Sequence, residues 1–391
     1  MAAESARSFD ALEKQAGAIR DIFTAAGFEP VAPAIIQPAD VFLDVVGEAL
    51  RGRTYVFTDP DGDELCLRPD LTVPTARLYL ERYPKADSRA RYCYNGSAFR
   101  FQPEGSDKAH PREFRQAGIE AFGHGDREKT EAEVVALGVA AVEAAGLRSF
   151  RLRFGDLGLI RDLVEAIDMP GRWRARLHRA FWRKEAFGAE IERLCAGFGE
   201  REPPVPASLL EKLDPDDPVE AENHVADYLE SEGKALIGTR SLGEITARLL
   251  DWAADMREPP LDREAGRLLN DYVAVKAPPK AAGARIGDLM SERGVDLGPA
   301  LEVYRRRIEL FKAAGIDLST AEFSAEFGRD LEYYTGLVFQ IEIPAIGKAG
   351  LIAGGGRYDD LLAAVGAPND VVGVGLAIHT ERLLGAVQEG L

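Results

Sequence analysis

The chain has 391 residues, 46% hydrophobic and 29% charged, the make-up of a folded protein rather than a disordered one. Its formal charge of −17 argues against a broad nucleic-acid surface, which clustered Lys and Arg would build. No run of about 18 apolar residues occurs, which excludes a membrane-spanning helix. The N-terminus reads as no secretion signal, and three scattered cysteines, Cys66, Cys93 and Cys195, predict reduced thiols in a cytoplasm.

In chain order, Phe9, Leu12, Ala16, Ile19, Ile22 and Phe23 recur at helical spacing, so 8–26 is predicted to be a helix capped by Ser8 and ended by Gly27. The proline-rich stretch that follows must be extended. Residues 54–58 and 64–68 read as strands joined by an Asp-Pro-Asp-Gly-Asp turn, with further strands at 91–101 and 113–122. Thr130 and Glu133 form a capping-box signature for a helix running to Ala145. Phe150, Leu152 and Phe154 alternate with arginines, as a half-buried strand does. Helical patterns broken by prolines fill about 157–315, and glycine-rich, strand-like sequence returns at 322. The predicted organisation is α+β in three parts, 1–166, 167–298 and 299–391, the middle part being a helical insertion.

Three places carry chemistry. Asp70 and Thr72 follow a strand at alternate positions. An extended backbone would turn both to one face to receive an ammonium group, while the alternative is that one of them caps the next helix. Arg100, Lys108, Arg112 and Arg115 surround a loop at 103–112, either as a phosphate or carboxylate grip or as solvated charges paired with Glu104, Asp107 and Glu113. Gly354, Gly355 and Gly356 permit close backbone approach beside Tyr333-Tyr334-Thr335-Gly336, but no phosphate-loop signature surrounds them. The five histidines share no ligand spacing with the cysteines, so no metal site is expected, and Cys66 and Cys93 read as small core residues.

The segments LRPDLTVPTAR (67–77), YNGSAFRFQ (94–102), REFRQAGIEAFG (112–123), RDLEYYTGLVF (329–339), AGGGRYDDLL (353–362) and GVGLAIHTERLL (373–384) resemble, in order, the catalytic core of histidyl-tRNA synthetase. The resemblance covers about half the chain. It implies a class II aminoacyl-tRNA synthetase-like antiparallel sheet flanked by helices, with a dimer-forming motif around Pro33. It also implies a histidine pocket in which Asp70 and Thr72 hold the ammonium, Gln116 and Glu120 complete the site, Tyr334 meets the imidazole and Arg329 engages the carboxylate. Arg100 and Arg382 would stand at the ATP-gripping arginines.

The departures point further. Phe99-Arg100-Phe101-Gln102 ends in Gln102 where the synthetases have Glu, Asp70 replaces a Glu, and Arg329-Asp330-Leu331-Glu332 puts an acid where a phosphate would approach. Arg100, Gln102 and Arg382 then read as a relic ATP site. Nine residues follow Arg382, so no anticodon-binding domain is expected. That combination resembles the regulatory subunits of ATP phosphoribosyltransferase. It implies a non-catalytic chain, without cofactor, that works with a short-form catalytic subunit in the first step of histidine biosynthesis and its feedback regulation by histidine. It further implies a homodimer within a hetero-oligomer, and no tRNA partner. The competing reading is a synthetase-like enzyme that activates an amino acid with ATP.

Overall fold

The computed structural model describes residues 6–43, 48–102, 111–181, 183–198, 203–233, 241–328 and 333–391. Two compact units divide the chain, 1–166 with 272–391, and 167–271.

In the first unit the alternating segments become strands β1 (Glu29–Pro30), β2 (Ile36–Pro38), β3 (Tyr55–Thr58), β4 (Glu64–Leu67), β5 (Ala90–Phe99), β6 (Glu113–Phe122), β7 (Arg151–Asp156), β8 (Lys276–Ala277), β9 (Glu322–Ser324), β10 (Leu337–Glu342), β11 (Leu351–Arg357) and β12 (Gly373–His379). Strands β2, β4 and β3 form a small sheet, and the rest form one sheet in the order β1-β5-β6-β12-β11-β10-β7-β9-β8. From β5 to β7 every pairing is antiparallel. The short β1 and β9 then add parallel pairings at the two sides. The stretch 272–298, grouped with the insertion on sequence pattern, belongs to this unit, because Lys276–Ala277 pairs with β9.

Because side chains alternate along a strand, β6 turns Gln116, Gly118 and Glu120 to one face of the sheet and Ala117, Ile119 and Ala121 to the other. Helices Ala6–Ala25, Arg127–Ala144 and Thr380–Gln388 cover the second face. There Gly138 lets the middle helix approach Leu376 so closely that a Cβ would stand 2.8 Å from its methyl. The stripe Leu12, Ala16, Ile19 and Phe23 is buried as the periodicity requires. Helix Thr72–Arg82 lies over the first face, with Tyr79 and Phe122 rings 5.0 Å apart. Cys66 and Cys93 are buried.

Two predicted helix starts are displaced. Ser8 lies within helix Ala6–Ala25. The long helix begins at Arg127 with Asp126 as its cap, accepting from the Lys129 amide, and the Thr130 hydroxyl donates back to the Asp126 carbonyl at 2.7 Å. Glu133, the other half of the supposed capping box, pairs with Arg91 across the fold; a carboxylate drawn to a nearby guanidinium leaves the capping to an aspartate one turn earlier.

The second unit is helical, with Gly171–Phe181, Lys184–Ala196, Pro218–Ser231 and Leu242–Arg257 as its main helices. Asp255 is buried there and accepts from Arg172 at 2.7 Å, from the Trp173 indole at 2.6 Å and from Arg176 at 2.5 Å. A buried carboxylate in such company is satisfied and structural.

Candidate ligand-binding site

The first face of the large sheet is floored by glycine where its neighbours are bulky. A Cβ at Gly118 would stand 2.5 Å from the Tyr94 hydroxyl oxygen, one at Gly356 2.9 Å from the Tyr334 ring, and one at Gly373 2.5 Å from the Tyr358 ring. At Gly375 a Cβ would overlap the Glu120 carboxylate, and at Gly96 it would meet the Arg68 guanidinium. The registers place Gly118 opposite Tyr94 and Gly375 opposite Glu120. Each of these glycines thus makes room for one polar or aromatic side chain to lie flat on the sheet.

Glu120 is fully buried. The Tyr94 hydroxyl donates to one of its oxygens at 2.9 Å, and the Tyr358 hydroxyl donates to the other. Burial pushes its carboxyl up to about 8, against the pull of the hydroxyls of Tyr358, Thr72 and Tyr94. Neither tyrosine is marked by sequence pattern as a partner of Glu120. The glycines opposite them were the available signal, since a strand glycine marks a close approach.

Asp70 is buried, and burial raises its carboxyl despite Arg100 nearby. Its Oδ1 accepts from the Val73 amide at 3.2 Å, in the first turn of helix Thr72–Arg82. Its Oδ2 has no partner among the described residues. The two readings of this residue therefore share it, one oxygen satisfying the helix start and the other left available. Thr72 opens the helix, so the extended alternation does not persist through it. Its hydroxyl still reaches Glu120 and Tyr94, and favours the ionised form of each.

Gln116 is buried on the same face, four residues along the strand from Glu120, and its Oε1 likewise has no partner among the described residues. Arg68 frames this end. Its Nε donates to the Ser97 carbonyl at 2.7 Å and its Nη1 to the Pro33 carbonyl. The Tyr334 ring lies on Gly356, 4.9 Å from Tyr333 and 6.4 Å from Tyr358.

Asp70, Thr72, Gln116, Glu120 and Tyr334 gather on one face. Arg329 lies outside the described residues, as do Lys108, Glu104, Asp107, Asp330, Leu331 and Glu332. Arg100 lies beside the site, donating to the Pro69 carbonyl at 2.8 Å and stacking over Phe114 at 5.1 Å. The Gln102 carbonyl accepts from Arg112 at 3.1 Å, and Arg382, on helix Thr380–Gln388, donates to the Leu351 carbonyl at 3.1 Å. Arg115 does not join a grip around the loop. It reaches the N-terminal helix, pairing with Glu13 at 2.7 Å and stacking on Phe9, because it points to the face opposite Gln116.

The arrangement is a buried, acceptor-rich recess in which two oxygens have no partner among the described residues. Buried acceptors of this kind are costly unless a donor meets them, and a cationic donor with further N–H groups suits them best.

The histidyl-tRNA synthetase family model matches residues 5–258 and 262–383. An ATP phosphoribosyltransferase regulatory subunit of Brucella anthropi is 34% identical over 91% of this chain and 92% of its own. One from Mesorhizobium japonicum is also 34% identical, over 93% and 95%. Among solved structures, a Bacillus halodurans protein described as an ATP phosphoribosyltransferase regulatory subunit/histidyl-tRNA synthetase superposes with a TM-score of 0.70. It is 19% identical, with 99% of this chain and 82% of that one covered, a likeness of class II synthetase-like fold.

Proposed function

Because this chain belongs to the ATP phosphoribosyltransferase regulatory subunits, within the histidyl-tRNA synthetase family, we propose that it senses histidine through the recess on its glycine floor. Its role is regulatory and lies in histidine biosynthesis. In this reading the chain is not itself catalytic. It partners a short-form catalytic subunit as a homodimer within a hetero-oligomer of the cytoplasm, and binds no tRNA. Among the described residues no helix is long and apolar enough to cross a membrane.

One observation carries the reading: the buried Asp70 Oδ2 and Gln116 Oε1 lack partners among the described residues, on the same face as a buried Glu120. An α-ammonium would meet Asp70 and Thr72. An imidazole N–H would meet Glu120, with the Tyr334 ring against it, and Arg329 would take the carboxylate. Charge-assisted contacts of this type contribute about 1.5–3 kcal/mol each, so Asp70→Asn and Glu120→Gln should each weaken histidine roughly ten- to a hundredfold. Calorimetric titration of histidine into the complex with the catalytic subunit, and into the chain alone, measures this. Wild type that takes up no histidine in either form, or variants that match it, would end the reading.

Arg100 and Arg382 at the motif positions favour one alternative, activation of an amino acid with ATP. Exchange of labelled pyrophosphate into ATP by the purified chain would establish that alternative; none is expected.

A further inference from the structure

The segment Arg357-Tyr358-Asp359 belongs to both faces of the sheet. Tyr358 lies on the glycine floor with its hydroxyl on Glu120. Arg357, at 5% exposure, points the other way. Its Nε donates to Glu131 at 2.6 Å, its Nη1 to Asp359 at 3.0 Å and its Nη2 to the Arg127 carbonyl at 2.9 Å. Glu131 is shared with Arg307 at 2.6 Å, which also holds Asp156 at 2.5 Å. Asp359 in turn accepts from the Gly373 amide at 3.1 Å, and its own amide donates to the Thr335 hydroxyl at 3.0 Å. The backbone is therefore clamped on both sides of Tyr358 by groups other than those that face Glu120.

We propose that Arg357 and Asp359 are positioning residues, which set the place of the Tyr358 hydroxyl and through it the binding strength of the Glu120 recess. The inference rests on the reading of the recess as a histidine site, and extends it to residues on the far face. A side chain held by a single rotatable contact would drift by fractions of an ångström, and such looseness is what degrades a built site. Here the Tyr358 ring has Gly373 beneath it and the rings of Tyr333 and Phe122 at 5.9 and 6.4 Å, so its one remaining freedom is the path of its own backbone. The groups that face Glu120 are Tyr94 from β5, Tyr358 from the end of β11, and Thr72 and Asp70 from the start of helix Thr72–Arg82. Loosening Tyr358 alone changes one of its donors and leaves the others in place.

The test compares Arg357→Lys and Asp359→Asn with Arg151→Lys. Arg151 pairs with Glu342 and Glu322 on the same sheet, away from the recess. Thermal stability is followed against pH without ligand, each variant with and without Glu120→Gln, and histidine affinity is measured in parallel. Arg357→Lys keeps a charge for Glu131 but loses the fork. It and Asp359→Asn are expected to move the Glu120-dependent part of the profile by about half a pH unit or more and to weaken histidine about fivefold. Arg151→Lys is expected to shift the melting temperature only. Should Arg357→Lys not fold, Asp359→Asn decides alone. The proposal is overturned if both variants behave like Arg151→Lys, altering melting while the Glu120 profile and histidine affinity stay as in wild type. Absence of histidine binding by wild type would remove the proposed function, while the ligand-free profile would still decide this inference.

Discussion

Glu120 and Glu131 are both fully buried, on opposite faces of one sheet, and differ in their partners. Glu120 accepts from the hydroxyls of Tyr94 and Tyr358, and burial wins, lifting its carboxyl to about 8. Glu131 lies between Arg307 and Arg357, and the two guanidinium groups overcome the same burial and hold its carboxyl below the usual range. Burial alone does not decide the charge of a carboxylate; neutral donors leave it protonatable, cationic ones fix it ionised. One face therefore holds a fixed ionic clasp and the other a carboxyl whose state a ligand can change.

The largest effect is expected from breaking the clasp. Glu131→Ala leaves two arginines buried with less compensation, and should destabilise the sheet unit by about 3–5 kcal/mol, read as the shift of the denaturant midpoint. Unfolding like wild type would mean that water or a rearranged carboxylate replaces Glu131.

Next comes the floor beneath Glu120. Gly375→Ala places a Cβ on its carboxylate, and overpacking of this kind costs about 1–3 kcal/mol. Histidine affinity should fall at least about tenfold, and calorimetry that finds it unchanged would show the carboxylate free to move aside.

Acid and base should separate the two faces. Glu120 keeps its proton when folded up to about 8, against an ordinary value of 4.5. Its contribution to stability is full below about 4.5 and is lost as pH rises towards 8. Glu131, with a lowered carboxyl, contributes above its ordinary value and loses that contribution as pH falls. Melting temperature between about pH 5 and about pH 8 should therefore decline more in wild type than in Glu120→Gln. Parallel profiles would refute the assignment of this slope to Glu120.

The smallest effect is expected at Thr72→Val, which removes one of the hydroxyls around Glu120. One neutral hydrogen bond is worth about 0.5–1.5 kcal/mol, so histidine should weaken by no more than about tenfold.

Much of the recess is legible in the sequence, because the residues that would touch a ligand sit in short, ordered segments around Asp70, Gln116 and Tyr334. The residues that hold them are not. Tyr94 and Tyr358 meet Glu120 from positions 26 and 238 residues away, and only strand register brings them together. The clasp joins Glu131, Arg307 and Arg357, three residues drawn from two helices and a strand; each alone reads as one more surface charge. Helix starts failed for a local reason, since Thr130 followed by Glu133 looks like a cap until Arg91 claims the glutamate.

The glycine floor has a consequence for how such a site can diverge. Gly118, Gly356, Gly373 and Gly375 leave no room for a Cβ where they meet the recess, so a replacement there is penalised by volume before it can alter selectivity. Heritable change in what the recess accepts is left to the side chains around that floor, among them Asp70 and Thr72, which open a helix. A lineage exploring new ligands would vary those few positions and keep the sheet beneath them unchanged.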